Sequence, residues 1–169
     1  MRVRKSEERT VMVIVLTAVI ITSSMLIYTV LTLPPRGGFP AISVLDQNML
    51  GVGLIQADNA SPFLFHVLVQ NYLGHVGYFL VDVWRGQITG DTNPPLNSCI
   101  HWGNFSRIIG DREEHMFTVN HTLYTTQPIE RHIYYCILYV FNTNTGEFVY
   151  VRNALGEMTM VWMQVNVTA

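Results

Sequence analysis

The sequence predicts an all-β fold, an antiparallel sandwich preceded by a single N-terminal transmembrane α-helix. Residues 11–33 form an uncharged apolar run, and from residue 39 onward β-branched and aromatic runs alternate with turn residues. We therefore divide the chain into a cytoplasmic tail at 1–10, a transmembrane helix at 11–33, a linker at 34–38 and an exported domain at 39–169.

The apolar run at 11–33 contains 23 residues without a charged side chain and ends at Pro34 and Pro35. At a rise of about 1.5 Å per residue it is about 35 Å long, enough to cross a hydrocarbon core of about 30 Å. A cleaved signal peptide has a shorter apolar region before a small-residue cleavage site, so we interpret the run as an uncleaved signal anchor. The alternative, a long buried helix of a soluble protein, would show a polar face.

Flanking charge predicts the orientation of this helix. Only Arg36 lies close behind it, whereas four basic residues precede it: Arg2, Arg4, Lys5 and Arg9. The positive-inside rule then places the N-terminus in the cytoplasm and the C-terminal domain outside the cell. Asn-x-Ser/Thr sequons agree with an exported, glycosylated surface because all of them follow the helix, at Asn59, Asn104, Asn120 and Asn166.

The balance of acidic and basic residues limits the kinds of partner that the exported domain can bind. From residue 34 onward six Arg stand against ten acidic residues, and Lys is absent. Binding to nucleic acid needs clustered basic side chains, so nucleic acid is excluded as a partner. The predicted partners are the lipid bilayer and other membrane or envelope proteins. The length of the exported domain, about 130 residues, is enough to bury one hydrophobic core.

The pattern of the domain predicts nine short strands, at 41–45, 52–57, 63–70, 76–85, 101–109, 115–124, 132–141, 147–152 and 158–167. In the strand at 63–70 alternation puts Phe63, Phe65, Val67 and Val69 on one apolar face, as in a half-buried antiparallel strand. The run at 132–141 is apolar on both faces. It is therefore interpreted as a central strand, with an exposed docking strand as the alternative.

Two predicted hairpins connect these strands, through Asn71-Tyr-Leu-Gly74 and through 142–146, where Gly146 supplies a positive φ. Strands of this number with turns every 8 to 12 residues indicate a sandwich, and a small barrel is the alternative.

Several segments resemble an uncharacterised archaeal membrane-protein family. They are 39–46 (FPAISVLD), 65–83, Met116-Phe117, Leu123-Tyr124 and 160–165, and together they cover most of residues 39–167. The resemblance implies an exported immunoglobulin-like β-sandwich with no established activity and no catalytic residues. Members of that family commonly have several transmembrane helices, whereas this chain has one.

The two cysteines, Cys99 and Cys136, lie in the exported part of the chain, where disulfides persist. We predict a Cys99–Cys136 bridge, which requires Cα atoms within about 7 Å. Trp102 follows Cys99 by three residues, so the spacing differs from that of an antibody core.

Catalytic patterns are missing from the sequence, and no enzyme activity or cofactor is predicted. A metal site built from Cys99, His101 and either His121 or His132 would lack a diagnostic ligand spacing. The cluster at 111–115 (DREEH) is interpreted as an exposed acidic turn. No Gly-x-Ser-x-Gly elbow or phosphate-binding loop occurs.

Three functions are compatible with these features. The first is a single-pass, membrane-anchored extracellular sandwich that acts as a structural or accessory subunit of a membrane or cell-envelope complex. The second is a pilin-like filament subunit, although no Gly or Ala processing site precedes the apolar run. The third is an exported metal or redox protein. The sequence favours the first.

Overall fold

The computed structural model describes residues 15, 17, 19–23, 38–90, 92–153 and 155–169. The chain divides into two units, Met1–Gly37 and Gly38–Ala169. In the first unit the described residues are helical, and the Thr22 hydroxyl donates a hydrogen bond to the Val19 carbonyl oxygen (3.1 Å). No helix among the described residues is both long and apolar enough to span a membrane. Most of the predicted helix at 11–33, and the tail at 1–10, lie outside the described residues.

The second unit is mostly β-structure. Its described residues form a short 3-10 turn, Leu96–Ser98, and nine strands: β1 Ala41–Asp46, β2 Leu54–Asp58, β3 Pro62–Gln70, β4 Gly77–Gln87, β5 Ile100–Ile109, β6 Glu114–Thr122, β7 Ile129–Asn142, β8 Glu147–Tyr150 and β9 Met160–Thr168. Each predicted strand corresponds to one of these, with bounds that differ by a few residues at most.

The strands form two sheets, a smaller one in the order β1-β3-β6 and a larger one in the order β2-β9-β7-β4-β5, with β8 beside β7. Strands β1, β3 and β6 stand where strands A, B and E of an immunoglobulin domain lie, and β4, β7 and β9 stand where C, F and G lie. The predicted two-sheet sandwich of immunoglobulin-like type is confirmed. One pair departs from the predicted antiparallel arrangement, because β2 runs parallel to β9.

The core lies between the inner faces of the two sheets. The predicted apolar face of β3 is confirmed, since Phe63, Phe65, Val67 and Val69 are all buried. The ring of Phe65 meets that of Tyr134 edge-on, with 5.4 Å between centroids. Aromatic pairs in this geometry stabilise a core beyond the area that they bury.

Strand β7 is central, as predicted for the run at 132–141. It pairs with β4 along one side and with β9 and then β8 along the other. Its even-numbered side chains, such as Tyr134 and Cys136, belong to the inner core, while the odd-numbered Ile133 and Tyr135 belong to a second cluster on the outer face. A strand covered on both faces has no polar side, which explains the composition of this run.

Only one of the two predicted hairpins forms. Strands β7 and β8 pair through the turn at 142–146, where Gly146 has a φ of 73° and its N–H donates to the Asn142 carbonyl oxygen (2.8 Å). The predicted hairpin at 71–74 is wrong. Strands β3 and β4 lie in different sheets, so these residues carry the chain from one sheet to the other.

The side chain of Asn71 holds this crossing and is fully buried. Its Nδ2 lies 2.8 Å from the carbonyl oxygen of His75, 2.9 Å from that of Ile109 and 3.1 Å from that of Gly110. Its Oδ1 accepts a hydrogen bond from the N–H of Leu73 (3.0 Å). One amide thus joins the crossing from β3 to β4 with the end of β5.

The predicted acidic turn completes the same corner. The Asp111 carboxylate accepts a hydrogen bond from the N–H of Gly74 (2.8 Å), and the Glu113 carboxylate accepts one from the N–H of Gly110 (3.0 Å). The N–H of Arg112 donates to the Asn71 carbonyl oxygen (2.7 Å). These acidic side chains satisfy backbone donors where the chain crosses between the sheets.

We expect Asn71→Ala to lower the free energy of unfolding by about 2 to 4 kcal/mol, because it leaves buried carbonyl oxygens without a donor. Denaturant unfolding of the two variants measures the effect. The matched control is Asn144→Ala at an exposed turn position, for which a change within about 0.5 kcal/mol is expected. Equal losses in the two variants would contradict the role given to Asn71.

Candidate functional site

Aromatic side chains cover much of the outer face of the larger sheet. The register of β4, β7, β8 and β9 aligns their outward positions, for example Tyr139 with Tyr150 and Phe141 with Phe148. Tyr150 and Trp162 are each 47% exposed. We define the aromatic face as the following outward side chains: Tyr78, Trp84, Tyr139, Phe141, Phe148, Tyr150, Met160 and Trp162.

The rings of the aromatic face contact one another. Tyr78 lies with its ring centroid 5.0 Å from that of Phe148 and 6.0 Å from that of Phe141. Tyr139 and Tyr150 are 4.5 Å apart. Burial, followed by the Tyr150 hydrogen bond, raises the pKa of Tyr139 above its usual value, so its hydroxyl stays protonated at neutral pH. These contacts restrict the side chains and give the face a defined shape.

One carboxylate lies among these rings. Asp82 on β4 accepts a hydrogen bond from the Trp84 indole N–H (2.9 Å), and its Oδ1 lies 2.6 Å from Nε2 of His101 on β5. The ring of His101 in turn meets Trp84 edge-on, at 5.1 Å. Asp82 therefore orients an indole and an imidazole at one border of the aromatic face.

Residues 88–90 and 92–99 cover the other end of the same sheet face. The Tyr135 hydroxyl donates to the carbonyl oxygen of Pro94 (2.8 Å), and Cys99 packs with Ile133 and Tyr135. Gly86 on β4 permits this close approach, because a Cβ there would lie 2.7 Å from the sulfur of Cys99. These residues therefore cover one end of the outer face of the larger sheet, and the aromatic face is the part that they leave exposed.

The two cysteines lie on opposite faces of the larger sheet, and both are buried free thiols. Cys99 belongs to the outer cluster with Tyr135, whereas Cys136 points into the core with Tyr134. The predicted Cys99–Cys136 bridge is absent from this structure, because the sheet itself separates the two sulfurs. Sequence spacing could not show this, since the outcome depends on the side of the sheet on which each side chain lies.

The structure separates His101 from His121 and His132, the other histidines of the alternative metal site. His101 bonds Asp82 on the outer face, while Nδ1 of His121 lies 2.5 Å from the Tyr134 hydroxyl oxygen on the inner side. Burial is the largest effect that lowers the pKa of His121. No group of three or more His, Cys, Asp or Glu side chains among the described residues is placed to hold a metal ion.

The four sequon asparagines occupy different environments. Asn104 on the edge strand β5 and Asn120 on the edge strand β6 are exposed. Asn59 is half-buried and accepts a hydrogen bond from the N–H of Thr125 (2.9 Å). Asn166 is half-buried on β9, between β2 and β7, and its Oδ1 is buried. Edge strands leave room for a glycan that an inner strand does not.

No family model matches the chain, and no curated protein matches it. Among solved structures, the chain is similar to the CARDB domain of a Pyrococcus furiosus protein in complex with di-metal ions, at 20% identity and a TM-score of 0.43, over 77% of this chain and 90% of that one. It is similar to a PapD-like domain of human CEP192 at 4% identity and a TM-score of 0.41, over 82% and 89%. A β-glucosidase from Listeria innocua, in complex with glucose, aligns at 12% identity and a TM-score of 0.48, over 77% of this chain and 16% of that one.

We expect neither thiol to react with an aromatic disulfide reagent in the native chain and both to react after unfolding. Burial raises the pKa of Cys136 to about 12 and raises the pKa of Cys99 above its usual value, so both stay protonated and shielded at mildly alkaline pH. Thiol titration without reductant, before and after addition of denaturant, measures this. Finding no thiol in the unfolded chain would show instead that the Cys99–Cys136 bridge forms.

Proposed function

We propose that the chain is a non-enzymatic binding subunit, a membrane-anchored exported sandwich that docks another protein of the membrane or cell envelope. The observation that carries this proposal is the exposed aromatic face of the larger sheet, in which Tyr150 and Trp162 are each 47% exposed. Tyr, Trp and Phe are enriched at protein interfaces because they bury a large area at a low cost in side-chain entropy.

The arrangement of polar groups supports docking of a protein. Each oxygen of the Asp82 carboxylate has a hydrogen-bond partner at the border of the aromatic face, one from Trp84 and one from His101. A partner that covers this border therefore meets a carboxylate that already has two hydrogen-bond donors. The phenol of Tyr150 and the indole of Trp162 are exposed, and they offer hydrogen-bonding groups beside apolar ring surface.

The apolar run at 11–33 supplies the anchor in this proposal, with the N-terminus in the cytoplasm and residues 34–169 outside. An anchor keeps the sandwich within reach of proteins in the same membrane and raises its effective concentration there. The proposed occupant of the aromatic face is therefore the exported part of a neighbouring membrane protein.

Extraction of the full chain from native membranes in mild detergent, followed by sizing and mass spectrometry, tests the proposal. We expect a stoichiometric partner that the double variant Trp162→Ser with Tyr150→Ser retains at least about tenfold less well, because exposed aromatic anchors dominate such interfaces. The control is Met116→Ser on β6, an exposed apolar position on the smaller sheet. A partner that remains on the double variant, or a chain that migrates alone, would refute docking through this face.

We also predict that glycans attach at Asn104 and Asn120 and not at Asn166. A glycan can be attached only to an accessible asparagine side chain. Asn104 and Asn120 lie exposed on edge strands, while Asn166 is half-buried in an inner strand. Asn→Gln variants at each position, followed by gel mobility with and without removal of glycans, measure the occupancy. A mobility change caused by Asn166→Gln alone would contradict the prediction.

A further inference from the structure

A cleft of about 430 Å³ opens on the inner side of β4 and β7. Arg85, Glu130 and His132 line it with polar groups, and Ile100, Leu123 and Tyr124 line it with apolar ones. In register, Arg85 lies opposite Tyr134, whose side chain points into the core. The aromatic face lies on the other side of the same sheet, so the cleft is separate from the proposed docking surface.

Arg85 brings a positive charge into the cleft that no carboxylate balances directly. Among the described residues, no Asp or Glu oxygen lies within 4.0 Å of its guanidinium, while the side chain itself is half-buried. The guanidinium contacts the Tyr134 hydroxyl, which also lies 2.5 Å from Nδ1 of His121. One hydroxyl oxygen can accept from only one or two of the five donors in the planar fork of an arginine, and carboxylates fit that fork.

His132 presents a second unsatisfied group to the same cleft. It is only 6% exposed, and its Nδ1 is buried without a hydrogen-bond partner among the described residues. Its Nε2 lies 3.1 Å from Oε1 of Glu130 and faces that carboxylate. Buried ring nitrogens in native proteins usually have a hydrogen-bond partner, so Nδ1 of His132 is available to a polar atom of a molecule bound in the cleft.

Burial, more than the neighbouring charges, lowers the pKa of His132 and favours its neutral form. Burial lowers its pKa most, Glu130 on the same strand opposes that effect, and Arg85 on β4 lowers the pKa further. His121 on β6 is a nearby titratable ring, whose pKa is lowered by burial first and then by the charges of Arg85 and His132. The neutral ring directs its single N–H from Nε2 toward Glu130, and the protonated ring also has an N–H at Nδ1 that can donate to an anion bound beside Arg85.

We propose that this cleft binds a small organic carboxylate. The carboxylate accepts hydrogen bonds from the Arg85 guanidinium and from a ring N–H of His132, and its apolar body lies against Ile100, Leu123 and Tyr124. The bound anion offsets the positive charge of Arg85, so His132 takes up a proton more readily and its imidazolium lies between the ligand and Glu130.

Linkage then gives the pH dependence. The pKa of His132 is higher in the bound state than in the free state, so binding is coupled to proton uptake. Affinity therefore rises as the pH falls through the bound-state pKa and becomes constant below the free-state pKa.

Benzoate is the probe, added to the full chain in mild detergent with ¹³C-labelled histidine and followed by NMR. We expect a saturable shift of the His132 ring signal, which His132→Gln identifies, and a higher apparent pKa for that ring in saturating benzoate. The neutral isostere benzamide tests the need for the negative charge and is expected to produce no saturable shift.

Arg85→Gln is expected to weaken benzoate binding by about tenfold or more, the effect of losing a charge-assisted pair. Arg107→Gln, at an exposed arginine of β5, is the matched control and should bind as the native chain does. If Arg85→Gln does not fold, the comparison of benzoate with benzamide and the pH dependence in the native chain still decide the matter. The proposal would be overturned if benzamide bound as tightly as benzoate, or if phosphate bound and benzoate did not. It would also be overturned if benzoate caused no saturable shift of the His132 ring signal.

Discussion

The fold depends on the hydrogen bonds of one buried amide, that of Asn71. In a sandwich two sheets pack against each other, so the chain must cross from one sheet to the other. At each crossing the backbone N–H and C=O groups lose their hydrogen bonds to a neighbouring strand and need other partners. Asn71 places Nδ2 within 2.8 to 3.1 Å of three carbonyl oxygens and accepts a hydrogen bond from Leu73. Two crossings thereby meet at one corner, from β3 to β4 and from β5 to β6.

Strand β7 then separates two surfaces of different chemistry. Its even-numbered side chains meet the core and the cleft, where Glu130 and His132 lie, and its odd-numbered ones support the aromatic face through Tyr139 and Phe141. The first surface is small, charged and recessed, while the second is broad and aromatic. Concave sites with a few converging polar groups suit small ligands, whereas exposed aromatic surfaces suit proteins. Strand β7 thus contributes side chains to both proposed binding surfaces, which lie on opposite faces of the sheet and share no side chain.

Much of the secondary structure was predictable because it depends on local pattern. Alternation along β3 predicted its buried face, and the continuous apolar composition of 132–141 predicted a central strand. The turn at 142–146 was predicted as well, because Gly146 supplies its positive φ. The turn at 71–74 has equally good turn chemistry but joins strands in different sheets. Turn chemistry reports the local bend and carries no information about which sheet receives the next strand.

By itself the sequence determined the class of the domain, the approximate positions of its strands and the apolar segment at 11–33, since each follows from the spacing of side chains along the chain. Only the tertiary structure decided which side chains share a face. It placed Cys99 and Cys136 on opposite sides of one sheet, paired β2 in parallel with β9, and brought Arg85 and His132 into one cleft. Strand order and register join residues far apart in sequence. They are set by the burial of whole faces and by the satisfaction of crossing backbone groups, which no single segment encodes.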